Sequence, residues 1–479
     1  MKNVGFLNAT ILVLLSLNTL HSSDVCMSEP DLNATLTEYQ LPSHLEKLKD
    51  IKPENLPAYF DSATLDSFIN ATMVTFHIPG LATWASKDGQ VVWQQCYGWA
   101  NIADSIPVAD TTLFAQASIS KTITATAIMQ LYERGEFALS DDINDYLPFN
   151  VRNPNHPDSV ITFGNLLRHT SSIDDNWAIL DPLVTWGGDS PIPLDYFLQE
   201  YLVPGGVYYN PTNYHAWAPS GYWDYTNVGA TLLGYLVETI EDSFPLHCQD
   251  SIFQPLSMDE TSWFLADLDT NNIAVPYRWM GSTYAPYPHY GRPWYPSGQL
   301  RTSSVQLARH LTAIMQYGQI DTVRILDSTT VDTMLTVYFD IHPLLKMGLI
   351  WHYLDTGSRW IWWHNGGFYG VHTEMGFCPA ENTAAIALTN GESSEGTIAI
   401  IDALFDYAQN VALDENEDVS LGSRRMSATI FRGPLRLPEG KKCRVFDITG
   451  RVVEPANIQP GIYFIEVDGV VTQKVVKVR

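Results

Sequence analysis

From Phe114 to Gly135 the chain reads FAQASISKTITATAIMQLYERG, and this stretch decides the fold. The run from Ile119 to Leu131 is apolar or small and lacks Gly and Pro, which predicts a buried helix with Ser118 at its first turn. Three residues at about 1.5 Å rise each put Ser118 and Lys121 on one face, their backbones about 4.5 Å apart along the axis. The helix start also offers unpaired N–H groups to a developing oxyanion. A serine hydroxyl attacks nothing at neutral pH unless a neighbour takes its proton, and Lys121 is the titratable side chain at helical spacing. Lysine does this only when deprotonated. Moving its pKa from about 10.4 to near 7 takes about 4–5 kcal/mol, which an apolar helix face and a cationic neighbour supply. The S-x-x-K pattern also arises by chance, as an N-cap serine with a solvated lysine, so residues elsewhere must decide between the two.

The 479 residues, 45% of them hydrophobic, suffice for one large catalytic domain and a small one. The net charge of −26 argues against nucleic acid and against an anionic membrane surface. That charge is uneven. Residues 421–479 hold 11 Lys+Arg against 5 Asp+Glu, whereas residues 1–420 hold 16 against 48, so the tail is a separate kind of segment. Cys26, Cys96, Cys248, Cys378 and Cys443 lie far apart without ligand-like spacing, which indicates neither a metal site nor a disulfide scaffold and leaves room for one isolated disulfide. Lys2, an apolar run to Leu20 and then His21-Ser22-Ser23 follow the order of a secretory signal peptide over residues 1–23. Asn8 and Asn18 interrupt the run, which is short for a membrane span, and export is expected.

After a lead over residues 24–56, Ala63 to Phe76 reads as an amphipathic helix closed by Ile78-Pro79-Gly80. Leu81–Ser86 and Val91–Trp99 flank the turn signal Lys87-Asp88-Gly89-Gln90 and predict an antiparallel hairpin. The segment ITFGNLLRHTSSI belongs to an inserted lobe, in which His169 reads as a buried residue pinning a turn rather than as a base. Tyr225 and Asn227 lie two apart after the turn Pro219-Ser220-Gly221, so in an extended segment both face one side; a core tyrosine with a capping asparagine is the alternative. Val275–Ser297, dense in Tyr, Trp and Pro, serves either a substrate or plain packing. Arg359–Trp363 reads as a strand stopping at His364-Asn365-Gly366-Gly367, where glycines would let a backbone N–H approach a ligand with His364 at the rim. Strands over Thr373–Phe377 and Ala384–Thr389, and a helix from Thr397 to about Leu413, complete the domain.

Taken together, Ser118-x-x-Lys121, Tyr225-x-Asn227 and His364-x-Gly366 resemble, in order and spacing, the serine beta-lactamase and penicillin-binding family, in its class C and esterase-like branch. The resemblance runs over residues 57–413 and includes ASISKTITATAIMQLYERGEFALSDDINDYLP, ITFGNLLRHTSSI, IFQPLSMDETSW and YPSGQLRTSSVQLARH. It implies an α/β (α+β) fold with an antiparallel sheet flanked by helices and an α-helical lobe, the site lying between sheet and lobe. It further implies Ser118 as nucleophile, Lys121 as general base, Tyr225 as proton relay and Asn227 as holder of a substrate amide. The N–H groups of Ser118 and Gly367 would form the oxyanion hole beside Gly366. No metal or cofactor is implied. Where lactamases carry Lys-Thr-Gly this chain has His364-Asn365-Gly366, so its attraction for a substrate carboxylate should switch with an imidazole pKa near 6.5.

Residues 439–479 read as short strands, and GIYFIEVDGVVTQKVVKVR resembles the C-terminal sorting domains of type IX secretion cargo, joined by a linker over 414–438. A small C-terminal β-sandwich is expected there, with the secretion machinery as its partner. The expected function is an exported serine hydrolase acting through an acyl-enzyme on an ester, amide or peptidoglycan-type peptide, found extracellularly or at the cell surface. The alternative is a penicillin-binding sensor, acylated at Ser118 without efficient turnover.

Overall fold

The computed structural model describes residues 60–411 and, in the tail, 429–431, 442–447, 451–455, 461–467 and 470–477. The chain divides into two compact units, residues 1–415 and 416–479. The expected signal peptide over residues 1–23 and the lead to Tyr59 lie outside the described residues.

Helix α1, Ser62–Thr75, starts where Asp61 and Thr64 cap one another, and its buried Leu65, Ile69, Thr72 and Met73 recur at helical spacing on one face. Strands β1, Gly80–Lys87, and β2, Gln90–Asn101, form the expected hairpin. Asp88 and Gly89 between them both take positive φ, as the tight twisted turn requires. With β3, Ile106–Pro107, and the later strands β4, Phe339–His342, β5, Leu345–Met347, β6, His352–Asp355, β7, Trp360–Phe368, β8, Val371–Cys378, and β9, Thr383–Thr389, they build one nine-stranded sheet. Its order is β4-β5-β6-β7-β8-β9-β1-β2-β3, with antiparallel pairing throughout. The expected antiparallel sheet flanked by helices is therefore what the chain forms.

One face of the sheet carries α1 and the closing helix α5, Ser394–Asn410. Leu65 and Ile69 of α1 and Ile401, Leu404 and Phe405 of α5 pack there against Leu81, Ala85, Ile361 and Trp363. Helix α5 starts three residues earlier than Thr397 because Ser393 caps it by accepting from Gly396 N. Helix α4, Ser304–Met315, packs against β1, β8 and β9, and the lobe is built around α2, Ser120–Glu133, and α3, Asn227–Glu241.

Strand β7 departs from the sequence expectation. It does not stop at His364 but pairs with β8 through Phe368, carrying His364, Asn365, Gly366 and Gly367 inside the ladder. Glycine weakens a strand without ending one, and β8 supplies partners along the whole length.

In the second unit, β10, Thr429–Phe431, β11, Cys443–Asp447, β12, Val452–Val453, β13, Gly461–Val467, and β14, Val470–Lys477, form a single sheet ordered β10-β14-β13-β11-β12. The segment Thr429–Phe431, expected as linker, is instead a strand parallel to β14. The second layer that a sandwich requires is absent among the described residues. Cys96, Cys248, Cys378 and Cys443 are free, and no described helix is long and apolar enough to cross a membrane.

Candidate active site

Ser118 sits on a single 3-10 turn, Ala117–Ile119, that leads directly into α2. Ala117 holds φ at 45°, a strained value for a residue with a Cβ. Several bonds sustain that turn. Gln116 Nε2 donates to Phe114 O and Thr302 O at 2.8 and 3.1 Å, Thr373 Oγ1 donates to Gln116 O at 2.9 Å, and Leu300 N donates to Ser120 Oγ at 3.0 Å. Every residue of α2 from Ser120 to Met129 is buried.

Strand β7 runs against this turn so closely that only glycine fits at position 366. A Cβ there would lie 2.2 Å from Gln116 O and 2.9 Å from Ser118 N. Gly366 thus brings the strand up to Ser118, with half-buried Gly367 next along it.

Lys121 is fully buried. Its Nζ lies 3.1 Å from Ser118 Oγ, donates to Asn227 Oδ1 and to Ser297 O at 2.7 Å each, and stands 4.8 Å from the centre of the Tyr225 ring. Burial drives its pKa well below the ordinary lysine value; Asp175 opposes this and the Arg292 guanidinium reinforces it. A neutral amine has two hydrogens and one lone pair. With both hydrogens given to oxygens that only accept, the lone pair is left for the Ser118 hydroxyl, an arrangement suited to taking its proton.

Tyr225 and Asn227 straddle the start of α3, whose N-cap is Thr226. Burial raises the Tyr225 phenol far above its usual pKa, although nearby Ser118 favours the anion, so the phenol keeps its proton. Its Oη makes no standard hydrogen bond. His169 has the pinning role expected of it: it is buried at φ 54°, its Nδ1 accepts from Thr226 N at 3.3 Å, its carbonyl accepts from Asp224 N, and its ring centroid lies 4.5 Å from that of Tyr225.

His364 is not at a rim. It lies wholly buried in β7, its Nδ1 2.7 Å from Asn365 O, a contact that assigns the ring hydrogen to Nδ1. Burial, followed by the charges of His352 and Lys121, pushes its pKa well below 6.5, against a small opposing effect of that carbonyl. The expected imidazole switch near neutrality is corrected accordingly: this ring is neutral where the protein would work. Its centroid is 6.4 Å from that of Tyr225 and 5.5 Å from that of His352, itself buried and pushed down to about 4 by burial and by Lys121.

Sequence reasoning missed four participants. Ser297 contributes a backbone oxygen, which no side-chain pattern encodes. Arg292, also buried, donates to Gly298 O and stacks its guanidinium 4.2 Å from the centre of the Phe368 ring; it is the cationic neighbour that a depressed lysine pKa calls for. His352 adds a third imidazole to the surroundings of Tyr225 and His364. Asp175 was signalled only by two adjacent aspartates in a stretch poor in charge. Its Oδ2 accepts from Asn227 N at 2.8 Å and Asn227 Nδ2 at 2.7 Å, and its Oδ1 accepts from Val228 N and Thr226 Oγ1 at 3.0 Å each. Burial raises its carboxyl pKa while these four bonds resist the rise.

One grouping of metal-ligand type occurs among the described residues, Asp174, His215 and Asp224. His215 Nε2 is 2.7 Å from Asp224 Oδ2 and its ring stacks on Trp217, so the group is an ion pair in its own right. A cavity of about 660 Å³ lined by Pro245, Leu246, Phe253 and Asp269 includes none of the Ser118 group.

Comparison with known proteins bears on the family and the fold. The chain is 25% identical over 220 residues to Protein flp of Staphylococcus aureus (strain N315), covering 46% of this chain and 42% of that protein. It is 26% identical over 229 residues to Penicillin-binding protein 4* of Bacillus subtilis (strain 168), covering 47% and 45%. The chain thus spans less than half the length of these curated relatives. Among solved structures, D-alanine carboxypeptidase AmpC from Burkholderia cenocepacia superposes with a TM-score of 0.57 at 23% identity, over 72% of this chain and 99% of that one. D-amino acid amidase from Ochrobactrum anthropi SV3 superposes with a TM-score of 0.58 at 18% identity, over 72% and 99%. The model of the Beta-lactamase family matches residues 65–409, and the chain belongs to that family.

Proposed function

We propose that this protein is an exported serine hydrolase that forms an acyl-enzyme on Ser118 and cleaves an ester, an amide or a peptidoglycan-type peptide. One observation carries the reading: a fully buried lysine amine 3.1 Å from Ser118 Oγ, with both its hydrogens directed to Asn227 Oδ1 and Ser297 O. Ser118 Oγ attacks the substrate carbonyl as its proton passes to Lys121 Nζ. The carbonyl oxygen takes up negative charge facing the N–H groups of Ser118 and Gly367. As the carbonyl–leaving-group bond breaks, Tyr225 Oη hands its proton to the leaving group and is reprotonated from Lys121. Water then attacks the Ser118 ester, giving its proton to the same pair, and Ser118 Oγ leaves with a proton. Asn227 holds a substrate amide while also fixing Lys121. Relatives named as carboxypeptidase, amidase and penicillin-binding protein support an acyl group of this breadth.

Intact-mass measurement with a chromogenic ester, a D-Ala-D-Ala peptide and a penicillin tests the proposal. An adduct on Ser118 that forms and decays at the turnover rate is expected, and none in Ser118→Ala. An adduct that never decays would make the protein an acylated sensor instead. Export is proposed from the signal-like start and the separate basic tail. Truncation after Ala428 should leave hydrolysis intact and abolish surface display.

A further inference from the structure

Asn227 is amphoteric in hydrogen bonding, and the site works only one way round. With its amide oxygen toward Lys121, both amine hydrogens are engaged and the lone pair is free for Ser118. With its NH2 toward Lys121, the lone pair would be drawn to that NH2 and away from the hydroxyl. Something must choose between these orientations, and Asn227 makes its other side-chain bond to a carboxylate, which only accepts. We infer that Asp175 is a positioning residue: by accepting from Asn227 Nδ2 it locks the amide so that Asn227 Oδ1 faces Lys121, and thereby aims the Lys121 lone pair at Ser118. The inference rests on the acyl-enzyme reading of Ser118.

The carboxylate is itself fixed. Backbone N–H groups of Asn227 and Val228 meet its two different oxygens, so it cannot turn, and Thr226 Oγ1 fills the remaining site. Four donors on two oxygens leave no place for a proton, which keeps Asp175 an acceptor toward Asn227. Its negative charge meanwhile favours a protonated Lys121. Retaining a charge that opposes the base is understandable if the same group supplies the orientation the base needs.

Asp175→Asn separates the two effects. If the new NH2 replaces Oδ2, Asn227 must turn its oxygen toward it and its NH2 toward Lys121; if it replaces Oδ1, Val228 N is left opposed. Lys121 is faced by Asp175, Arg292, the Tyr225 ring and, more distantly, His169, His352 and His364. Only Asp175 among these is negative, so its removal shifts the acid limb of the acylation profile downward.

The experiment follows acylation of Ser118 by a chromogenic ester, by rapid quench and intact mass, from pH 5 to 9. We expect Asp175→Asn to slow acylation by about tenfold or more at the optimum and to move the acid limb down by about one pH unit. In an Asn227→Ala background the same substitution should cost less than about threefold, because its effect passes through the missing amide. Ser393→Ala, which uncaps α5 and bonds none of the Ser118 group, should lower Tm and keep the wild-type acid limb. An unmoved rate and limb in Asp175→Asn, or full additivity with Asn227→Ala, overturns the inference. Should Asp175→Asn fail to fold, Asp175→Glu keeps the charge but displaces the oxygens, and a wild-type rate there overturns it equally. A wild-type protein that takes no acyl group on Ser118 overturns the acyl-enzyme reading itself, whatever Asp175 does.

Discussion

Lys121 and Arg359 are both buried basic side chains of one structural unit, and their surroundings make them opposites. Arg359 meets Glu381 at 3.0 Å, Asp402 at 3.5 Å and Asp406 at 2.6 Å, tying the edge of β7 to α5. Burial works against its charge, but Asp406, Asp402 and Glu381 outweigh it and raise its pKa. Lys121 is bonded to an amide oxygen, a backbone carbonyl and a hydroxyl, none of them charged, and burial lowers its pKa. Burial alone therefore does not decide whether a base keeps its proton; the charge of the atoms it touches does. Arg359 is held as a cation, whereas Lys121 is set up as the neutral base that the proposed reaction needs.

The sharpest way to break that contrast is Lys121→Met. The acylation rate should fall by roughly 10⁴-fold or more, since nucleophile and base act as a unit. Tm should move by only a few degrees, because a flexible apolar chain of similar length replaces a buried amine. Chromogenic-ester kinetics beside a thermal melt check both halves. A large fall in Tm would mean that Lys121 is structural after all.

Arg359→Met should do the reverse. It leaves three carboxylates facing one another, and truncating one partner of a buried ion group typically costs 3–5 kcal/mol. Asp402 and Asp406 side chains are 43% and 40% exposed, so water recovers part of this and about 2–3 kcal/mol is expected in urea denaturation. The rate of the folded fraction should stay within about twofold of wild type. A tenfold loss of rate at full folding would show that the Arg359 cluster and the Ser118 site are coupled.

Much of this was legible beforehand, for a definite reason. The Ser118 helix, the Asp88-Gly89 hairpin and the α1 face announce themselves through local periodicity and turn chemistry, and the three spaced motifs identify the family they resemble. What stayed hidden depends on contacts between distant segments. That Lys121 meets Ser297 O, or that Asp175 sits under Asn227, requires packing across 176 and 52 residues of sequence. The strand ending at His364 was misread because Gly366 and Gly367 look like a terminus, when their smallness serves to let β7 pass the Ser118 turn.

A half-buried case lies between the two bases. Burial opposes the charge of His215, but its bond to Asp224 and the charges of Asp174 and Asp224 raise its pKa overall. A raised folded pKa gives stability that is complete below the unfolded value, about 6.5, and is lost as pH climbs through the folded one. Asp174, pushed up to about 6 by its own burial, is largely ionised across that range. Wild type should therefore exceed His215→Gln by roughly 1 kcal/mol at pH 6.5 and by almost nothing at pH 9. A difference independent of pH would make the contact a matter of packing alone.

The smallest expected effect is a flat line, and it bears on recognition. A protonated His364 in reach of substrate would attract carboxylates at low pH and release them above neutrality. In the fold, however, that ring lies in the ladder with Nδ1 against Asn365 O, and burial together with His352 and Lys121 keeps it neutral well below 6.5. The kcat/KM ratio for a substrate acid and its methyl ester isolates this interaction, because both share the same nucleophile, base and acyl chemistry. With a carboxylate pKa near 3.5, the acid stays ionised throughout the range. Between pH 5.5 and 8 the ratio should change by less than about twofold, whereas a titrating imidazole in partial contact with solvent would change it about fivefold. His364→Gln should leave that flat profile unchanged in shape. A ratio that rises on acidification in wild type and not in the variant would put a proton on His364 and make this histidine the contact for a substrate carboxylate.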